Sequence, residues 1–148
     1  MIHCTFENDR KTSLRHVVVD AIVVKDGKIF LIRRGPHHTN GGKWAIPGGF
    51  LDRDETLEQA IARELKEETG LKARSVKLFK FTDNPARKNE DRQNVAFVYI
   101  VEASGQIEFD LHEVTDAKWF DINNLPKENE FAFDHYETVK DFLKQHSS

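Results

Sequence analysis

The alternation of apolar and polar positions first settles at residues 16–24 (HVVVDAIVV), a β-branched run with the length and composition of a buried strand. Asp26-Gly27 follows as a tight-turn signal, and residues 28–34 return as a second strand, which predicts a hairpin. Residues 35–43 (GPHHTNGGK) are loop by composition, His37 and His38 included. Residues 44–47 form a short extended piece that ends in Pro47-Gly48-Gly49. The period then changes. Leu57, Ile61 and Leu65 recur at every fourth position, so residues 56–69 predict a helix with one apolar stripe. Asp52 or Asp54 is placed to cap that helix and Gly70 to stop it. Residues 76–82, 95–103 and 117–121 read as further strands. Asp134 and Glu137 make an Asp-x-x-Glu capping pair for a last helix that runs to residue 145. The order β-β-β-α-β-β-β-α predicts a mixed sheet packed between helices, of α/β (α+β) class.

Composition narrows the class of function. A length of 148 residues suits one domain spanning 1–148. A net charge of −3 argues against broad nucleic-acid binding, which needs a basic face. Cys4 is the single cysteine, so an intrachain disulfide and a CxxC redox or zinc pair are both excluded. The apolar runs at 17–19 and 21–24, broken by Asp20, are far short of the ~18 residues that span a membrane. The opening MIHCTFENDRK lacks the basic-then-apolar order of a signal peptide. The expectation is a cytoplasmic protein with neither a membrane nor a nucleic-acid partner.

Charge is unevenly spread. Residues 52–68 carry seven acidic and three basic side chains, whereas residues 71–92 carry seven basic and three acidic ones. Two solvated surfaces would account for this, but the acidic helix has a further property. With Glu64 at 0° and roughly 100° per residue, Glu67 falls near −60° and Glu68 near +40°. This arc contains Leu57 and lies beside Ile61, so the glutamates adjoin the apolar stripe instead of opposing it. Clustered carboxylates at a half-buried edge suit a hard cation such as Mg²⁺ or Mn²⁺.

From Gly49 the chain reads GFLDRDETLEQAIARELKEETGL. Gly49, Glu55, Arg63, Glu64, Leu65, Glu67, Glu68, Gly70 and Leu71 occupy the constrained places of the Nudix box, which this segment closely resembles. The resemblance implies a Nudix fold and hydrolysis of the pyrophosphate link of a nucleoside diphosphate bonded to another group. It also implies that Glu64, Glu67, Glu68 and the backbone carbonyl of Gly48 bind divalent ions, Mg²⁺ or in its place Mn²⁺. Arg63 and Glu55 would hold the loop and helix in register. Ions on a pyrophosphate neutralise it and lower the pKa of a bound water, and a carboxylate takes the proton. In this family that base is a box glutamate, here Glu64, or a later loop residue. Glu113, six places before Trp119, is the candidate; a solvated loop acid is its other reading, and Asp116 is a weaker competitor. Two other motifs are excluded. HEVTD lacks the second histidine of a zinc-protease helix, and GPHHTNGGKW misplaces the first glycine of a phosphate loop.

Pro85, fifteen residues after Gly70, and AFDHY at 132–136 resemble the branch of the family that cleaves ADP-ribose. Arg34, Arg87 and Arg92 can meet phosphates, and Trp44, Phe50 or Tyr136 can stack on adenine, although arginines are often merely solvated and aromatics often core. His37 and His38 can approach a phosphate or belong to an exposed loop. ADP-ribose enzymes usually carry a longer N-terminal strand domain that builds a swapped dimer. Here about fifteen residues precede the first expected strand, so a homodimer is an open expectation. The functional expectations are cleavage of ADP-ribose to AMP and ribose 5-phosphate, a (d)NTP pyrophosphohydrolase with the same box, or a nucleotide sensor without catalysis.

Overall fold

The computed structural model describes residues 1–87 and 90–147. Lys88, one of the basic residues of the 71–92 segment, lies outside the described residues. Among the described residues nine strands and two helices follow one another. They are β1 (Ile2–Thr5), β2 (Lys11–Leu14), β3 (Val17–Lys25), β4 (Lys28–Arg34), β5 (Trp44–Ala45), β6 (Gly48–Phe50), α1 (Leu57–Thr69), β7 (Lys72–Thr82), β8 (Val95–Ser104), β9 (Val114–Asp121) and α2 (His135–His146). A single 3₁₀ turn at Glu128–Glu130 precedes α2.

The β-branched run forms the centre of a mixed sheet. β3 pairs in parallel with β8 from Val17 to Val23, and β7 closes that side. The other edge of β3 is shared. Its first residues, Val18, Val19 and Asp20, pair with β6, whereas Val24 and Lys25 pair with β4. β4 therefore diverges from β3 after the Asp26-Gly27 turn and takes β5 and β9 as its own partners. The resulting fork is the feature that matters for function. Residues 18–20 of β3 and residues 32–34 of β4 face each other across it. One side of the sheet packs Val19, Ala21 and Val23 on Ile61 and Leu65 of α1. The other packs Ile22, Ile29 and Leu31 on Val139 and Phe142 of α2. A mixed sheet between helices is the arrangement the sequence predicts.

α1 obeys its apolar stripe: Ile61 and Leu65 are buried and Leu57 is half-buried. Its cap differs from expectation. Thr56, not Asp52 or Asp54, accepts from the Gln59 N–H at 3.2 Å, while the Gln59 side chain accepts from the Thr56 N–H at 2.8 Å. The helix starts at Leu57, so only residue 56 stands one position ahead of it and reaches the third amide. Gly70 ends the helix in the left-handed region (φ 75°), and a Cβ there would lie 2.8 Å from the Gln106 carbonyl oxygen.

Asp134 forms no side-chain cap on α2, contrary to the capping pair read from Asp134 and Glu137. Its carboxylate accepts from Arg87 Nε at 2.8 Å instead, a bond in which both partners are charged. The first fifteen residues also hold more structure than expected. β1 and β2 form a hairpin that pairs with no other strand among the described residues. Their polar alternation (IHCT, KTSL) carries little apolar signal. Among the described residues no helix is long and apolar enough to cross a membrane.

Candidate active site

The fork between β3 and β4 encloses a cavity of about 330 Å³. Its acidic side is built by β6 and α1. Gly48 donates its N–H to Glu68 Oε2 at 2.9 Å. A Cβ on Gly49 would lie 2.3 to 2.5 Å from the Glu64 carboxylate, so only glycine lets the helix glutamate come so close to β6. Arg63 sits behind these groups. Nε and Nη2 donate to the two Glu55 oxygens at 3.0 and 2.6 Å, and Nη2 also reaches the Phe50 carbonyl at 3.0 Å. Nη1 donates to Glu64 at 2.8 Å and to Glu67 at 3.2 Å. One guanidinium therefore joins the 50–55 loop to the helix. The Arg63 hydrogen bonds, helped by the Asp52 N–H, hold the Glu55 carboxyl down at about 2. Burial acts oppositely on the cavity acids. It raises Glu64 and pushes Glu68 to about 8, only partly offset by the Gly48 N–H bond.

The opposite side is cationic and polar. Arg34 turns inward at the end of β4 and donates Nε to the Thr39 carbonyl at 2.8 Å. Its guanidinium and that of Arg87 lie 5.1 and 5.0 Å from the Phe133 ring centroid. Phe133 adopts φ 52°, an uncommon backbone for a bulky side chain, and in that conformation it lines the cavity. Arg92 lies 5.5 Å from the ring of Phe50. Deeper in, Asp20 stands 3.8 Å from His135 Nε2. Burial carries Asp20 up to about 7, against the opposing pull of Arg87. His135 is held neutral, first by burial and then by Arg87 and Arg34; its Nδ1 accepts from the Ile46 N–H at 3.2 Å. Glu113 enters from the loop before β9, with its carbonyl accepting from the Gly35 N–H at 2.8 Å.

Of the residues expected from the sequence, Gly48, Glu64, Glu68, Arg34, Arg87, Arg92 and Glu113 line this cavity. Arg63, Glu55 and Glu67 stand behind it as a hydrogen-bonded group. Among the described residues no three His, Cys, Asp or Glu side chains converge on a common point, since Glu67 turns to Arg63 and its side chain is 57% exposed. Three expected contacts lie elsewhere. Trp44 is buried on the α2 side, edge-on to Phe120 at 4.8 Å, because its strand position faces that core. Tyr136 packs on Phe131 at 5.4 Å, since the first turn of α2 directs it to the same layer. Pro85 is exposed in its loop and does not line the cavity. His38 lines the cavity and His37 does not; Asp116 pairs with Lys118 at 3.5 Å on the surface.

Asp20 and Asn94 were not among the residues expected from the sequence, and Phe133 and His135 were marked only as part of AFDHY. Asp20 had a usable signal, a lone acid inside a buried β-branched strand. Asn94 comes from a distant polar segment and had none.

A NUDIX domain family matches residues 14–142. The chain belongs to the Nudix family. It is 38% identical over 128 residues to an ADP-ribose pyrophosphatase of Methanocaldococcus jannaschii, which covers 86% of this chain and 73% of that relative. It is 34% identical over 105 residues to the NAD-capped RNA hydrolase NudC of Vibrio atlanticus, covering 70% of this chain but 36% of the relative. The Nudix domain of Shewanella oneidensis NrtR, solved with ADP-ribose, superposes with a TM-score of 0.74 at 27% identity over 90% of each chain. A bifunctional NMN adenylyltransferase/ADP-ribose pyrophosphatase of Francisella tularensis, solved with AMP and a manganese ion, gives a TM-score of 0.73 at 29% identity, covering 90% of this Nudix chain and 42% of that one.

Proposed function

We propose that this Nudix protein hydrolyses the pyrophosphate bond of a nucleoside diphosphate linked to a second moiety, with ADP-ribose giving AMP and ribose 5-phosphate. The observation that carries the proposal is a single cavity with buried carboxylates on one wall and guanidinium groups on the other. A dianionic diphosphate needs both: cations for its outer oxygens and acids for a metal ion and a proton. The named activity of the archaeal relative and the ADP-ribose held by the NrtR domain support the substrate class.

The donor set fits a divalent ion. Glu64 and Glu68 are hard oxygen donors, both are raised by burial, and a dication beside them would relieve that cost. Glu64, Glu68 and the Gly48 carbonyl would hold Mg²⁺, or Mn²⁺ in its place, and Glu67 would join them only by leaving Arg63. When bound, the metal neutralises the diphosphate and acidifies the attacking water. Arg63 and Glu55 orient the helix glutamates. Arg34 and Arg92 bind phosphate oxygens, while Arg87, tied to Asp134, shapes the wall. Glu113 takes the proton from the water, because Glu64 already accepts from Arg63. Water attacks one phosphorus and the bridging P–O bond breaks.

A substrate panel tests the proposal: ADP-ribose, NADH, nucleoside triphosphates, diadenosine polyphosphates and nucleotide sugars, each with and without Mg²⁺, with products identified. The expected result is Mg²⁺-dependent release of AMP and ribose 5-phosphate from ADP-ribose. Turnover of deoxynucleoside triphosphates to pyrophosphate, without turnover of ADP-ribose, would establish the pool-sanitising alternative. Tight binding of ADP-ribose with no turnover under Mg²⁺ or Mn²⁺ would make the protein a sensor.

A further inference from the structure

Phe133 is held in a backbone conformation that its side chain disfavours. Its φ of 52° lies in the left-handed region, where a bulky residue is rare. Such strain persists only where the surroundings over-determine it. The Ala132 N–H donates to the Trp44 carbonyl at 2.8 Å, and Phe131 bridges Trp44. The His135 N–H donates to the Ala132 carbonyl at 3.2 Å, which closes a turn around Phe133 and Asp134. Phe131, Ala132 and His135 are all buried, so the turn cannot relax without moving the core. Glycine would adopt the same backbone without strain, so the turn by itself does not require a ring at this position.

The ring lines the cavity and meets two guanidinium groups, with Arg34 Cζ 5.1 Å and Arg87 Cζ 5.0 Å from its centroid. Arg87 is fixed independently of the ring. It donates to the Asp134 carboxylate at 2.8 Å and pairs with Glu90 at 3.4 Å. Arg34 instead donates Nε to a neutral partner, the Thr39 carbonyl, at 2.8 Å. Burial is the largest influence that lowers the Arg34 pKa; Glu68 and Asp20 oppose it, and Arg92 and Arg87 add to it. A buried guanidinium needs negative charge density close by, and the face of an aromatic ring supplies it. A carboxylate would supply it too, but would occupy the N–H donors that a phosphate requires. A ring leaves the donors at the edge of the guanidinium available for a fork-like contact with an oxyanion.

We propose that Phe133 is a positioning residue that acts through Arg34: its ring, anchored beside the carboxylate-bound Arg87, holds the Arg34 guanidinium in the cavity with its donors open to a diphosphate. This rests on the proposed function, in which Arg34 meets phosphate oxygens. It deepens that reading by assigning affinity for the diphosphate to a side chain that need not touch it, and it gives the strained turn at Phe133 a purpose.

The test varies the electron density of the ring at constant shape. Phenylalanines carrying one, two and three ring fluorines are placed at position 133 of the full chain. Fluorine withdraws density from the ring face and weakens its hold on a cation, while packing is kept. ADP-ribose and, separately, inorganic pyrophosphate are titrated calorimetrically in low-salt buffer without a divalent metal, so Kd is read without turnover. Kd for both ligands is expected to rise stepwise with fluorine number, by roughly threefold or more at three fluorines. In Arg34→Ala the same series is expected to stay within about 1.5-fold, because the coupled partner is gone. A Kd that does not change along the series would overturn the proposal, since it would leave the ring a packing role only. A dependence that survives in Arg34→Ala would overturn it as well, by showing that the ring meets the ligand directly. Absence of wild-type binding to either anion would leave Arg34 with nothing to present and would also overturn it. Failure of the proposed function reads separately, as absent ADP-ribose hydrolysis in the Mg²⁺ panel, and the pyrophosphate series still reports on Phe133.

Discussion

Gly49→Ala separates geometry from stability at the acidic wall. The added methyl would sit 2.3 Å from Glu64 Cδ and 2.4 and 2.5 Å from its two oxygens. Ordinary carbon contacts begin near ~3.5 Å, so the carboxylate must retreat by about 1 Å. The neighbour that moves is the end of a flexible side chain, and Gly49 is not at positive φ, so the backbone tolerates alanine. Replacing glycine at a compatible position restricts the unfolded chain and contributes about 0.4–1 kcal/mol of stability. Loss of the 2.8 Å Arg63 to Glu64 bond works against that gain. The expected net change in Tm is therefore within a few degrees of zero, since ~1 kcal/mol corresponds to roughly 3–5 °C at this size. Activity responds differently. A displacement of about 1 Å at a group that positions the reactants costs on the order of 10²-fold. The assay is Mg²⁺-dependent AMP release from ADP-ribose, read as kcat/KM, beside a thermal melt of the same preparation. Activity within threefold of wild type would refute the reasoning, since it would show that the Glu64 position is unimportant. A fall in Tm well beyond those few degrees would refute it differently, by showing that the contact supports the fold.

Three further predictions concern single residues. Glu68→Gln keeps an oxygen that accepts the Gly48 N–H but removes a buried charge; it should raise Tm in metal-free buffer and lower turnover by several orders of magnitude, and near-normal turnover would remove Glu68 from the site. His135 is buried and held neutral, with its pKa well below the ordinary 6.5. Its folded pKa is depressed, so its stabilising contribution is present above about 6.5 and is lost as pH falls toward the folded value, at up to about 1.4 kcal/mol per pH unit. Urea unfolding at pH 7.5 and 5.5 should show a larger acid loss in wild type than in His135→Gln; equal losses would exclude this role. Thr56→Ala removes the α1 cap and should cost about 1 kcal/mol in urea unfolding; an unchanged midpoint would show that the cap does not support the helix.

The local features were legible because they depend on neighbours in sequence. The β-branched run at 16–24, the turn at Asp26-Gly27 and the four-residue recurrence of Leu57, Ile61 and Leu65 each carry their own physical signal. The helical arc of Glu64, Glu67 and Glu68 could be computed from a constant rotation per residue, and its overlap with the apolar stripe already implied half-buried carboxylates. The cap of α1 was placed wrongly because several acids and a threonine compete within four positions, and hydrogen-bond geometry chooses among them. The β1–β2 hairpin was missed because it lacks an apolar run.

Only the tertiary structure decided which distant groups meet. The fork between β3 and β4 brings Asp20, Arg34, Asn94 and His135 around one cavity, although Asp20 and His135 are separated by most of the chain. The same packing sends Trp44 and Tyr136 into the core and turns Asp134 from a helix cap into the partner of Arg87. Periodicity records which face of an element is apolar. It does not record which other element covers that face, and the composition of the cavity depends on that covering.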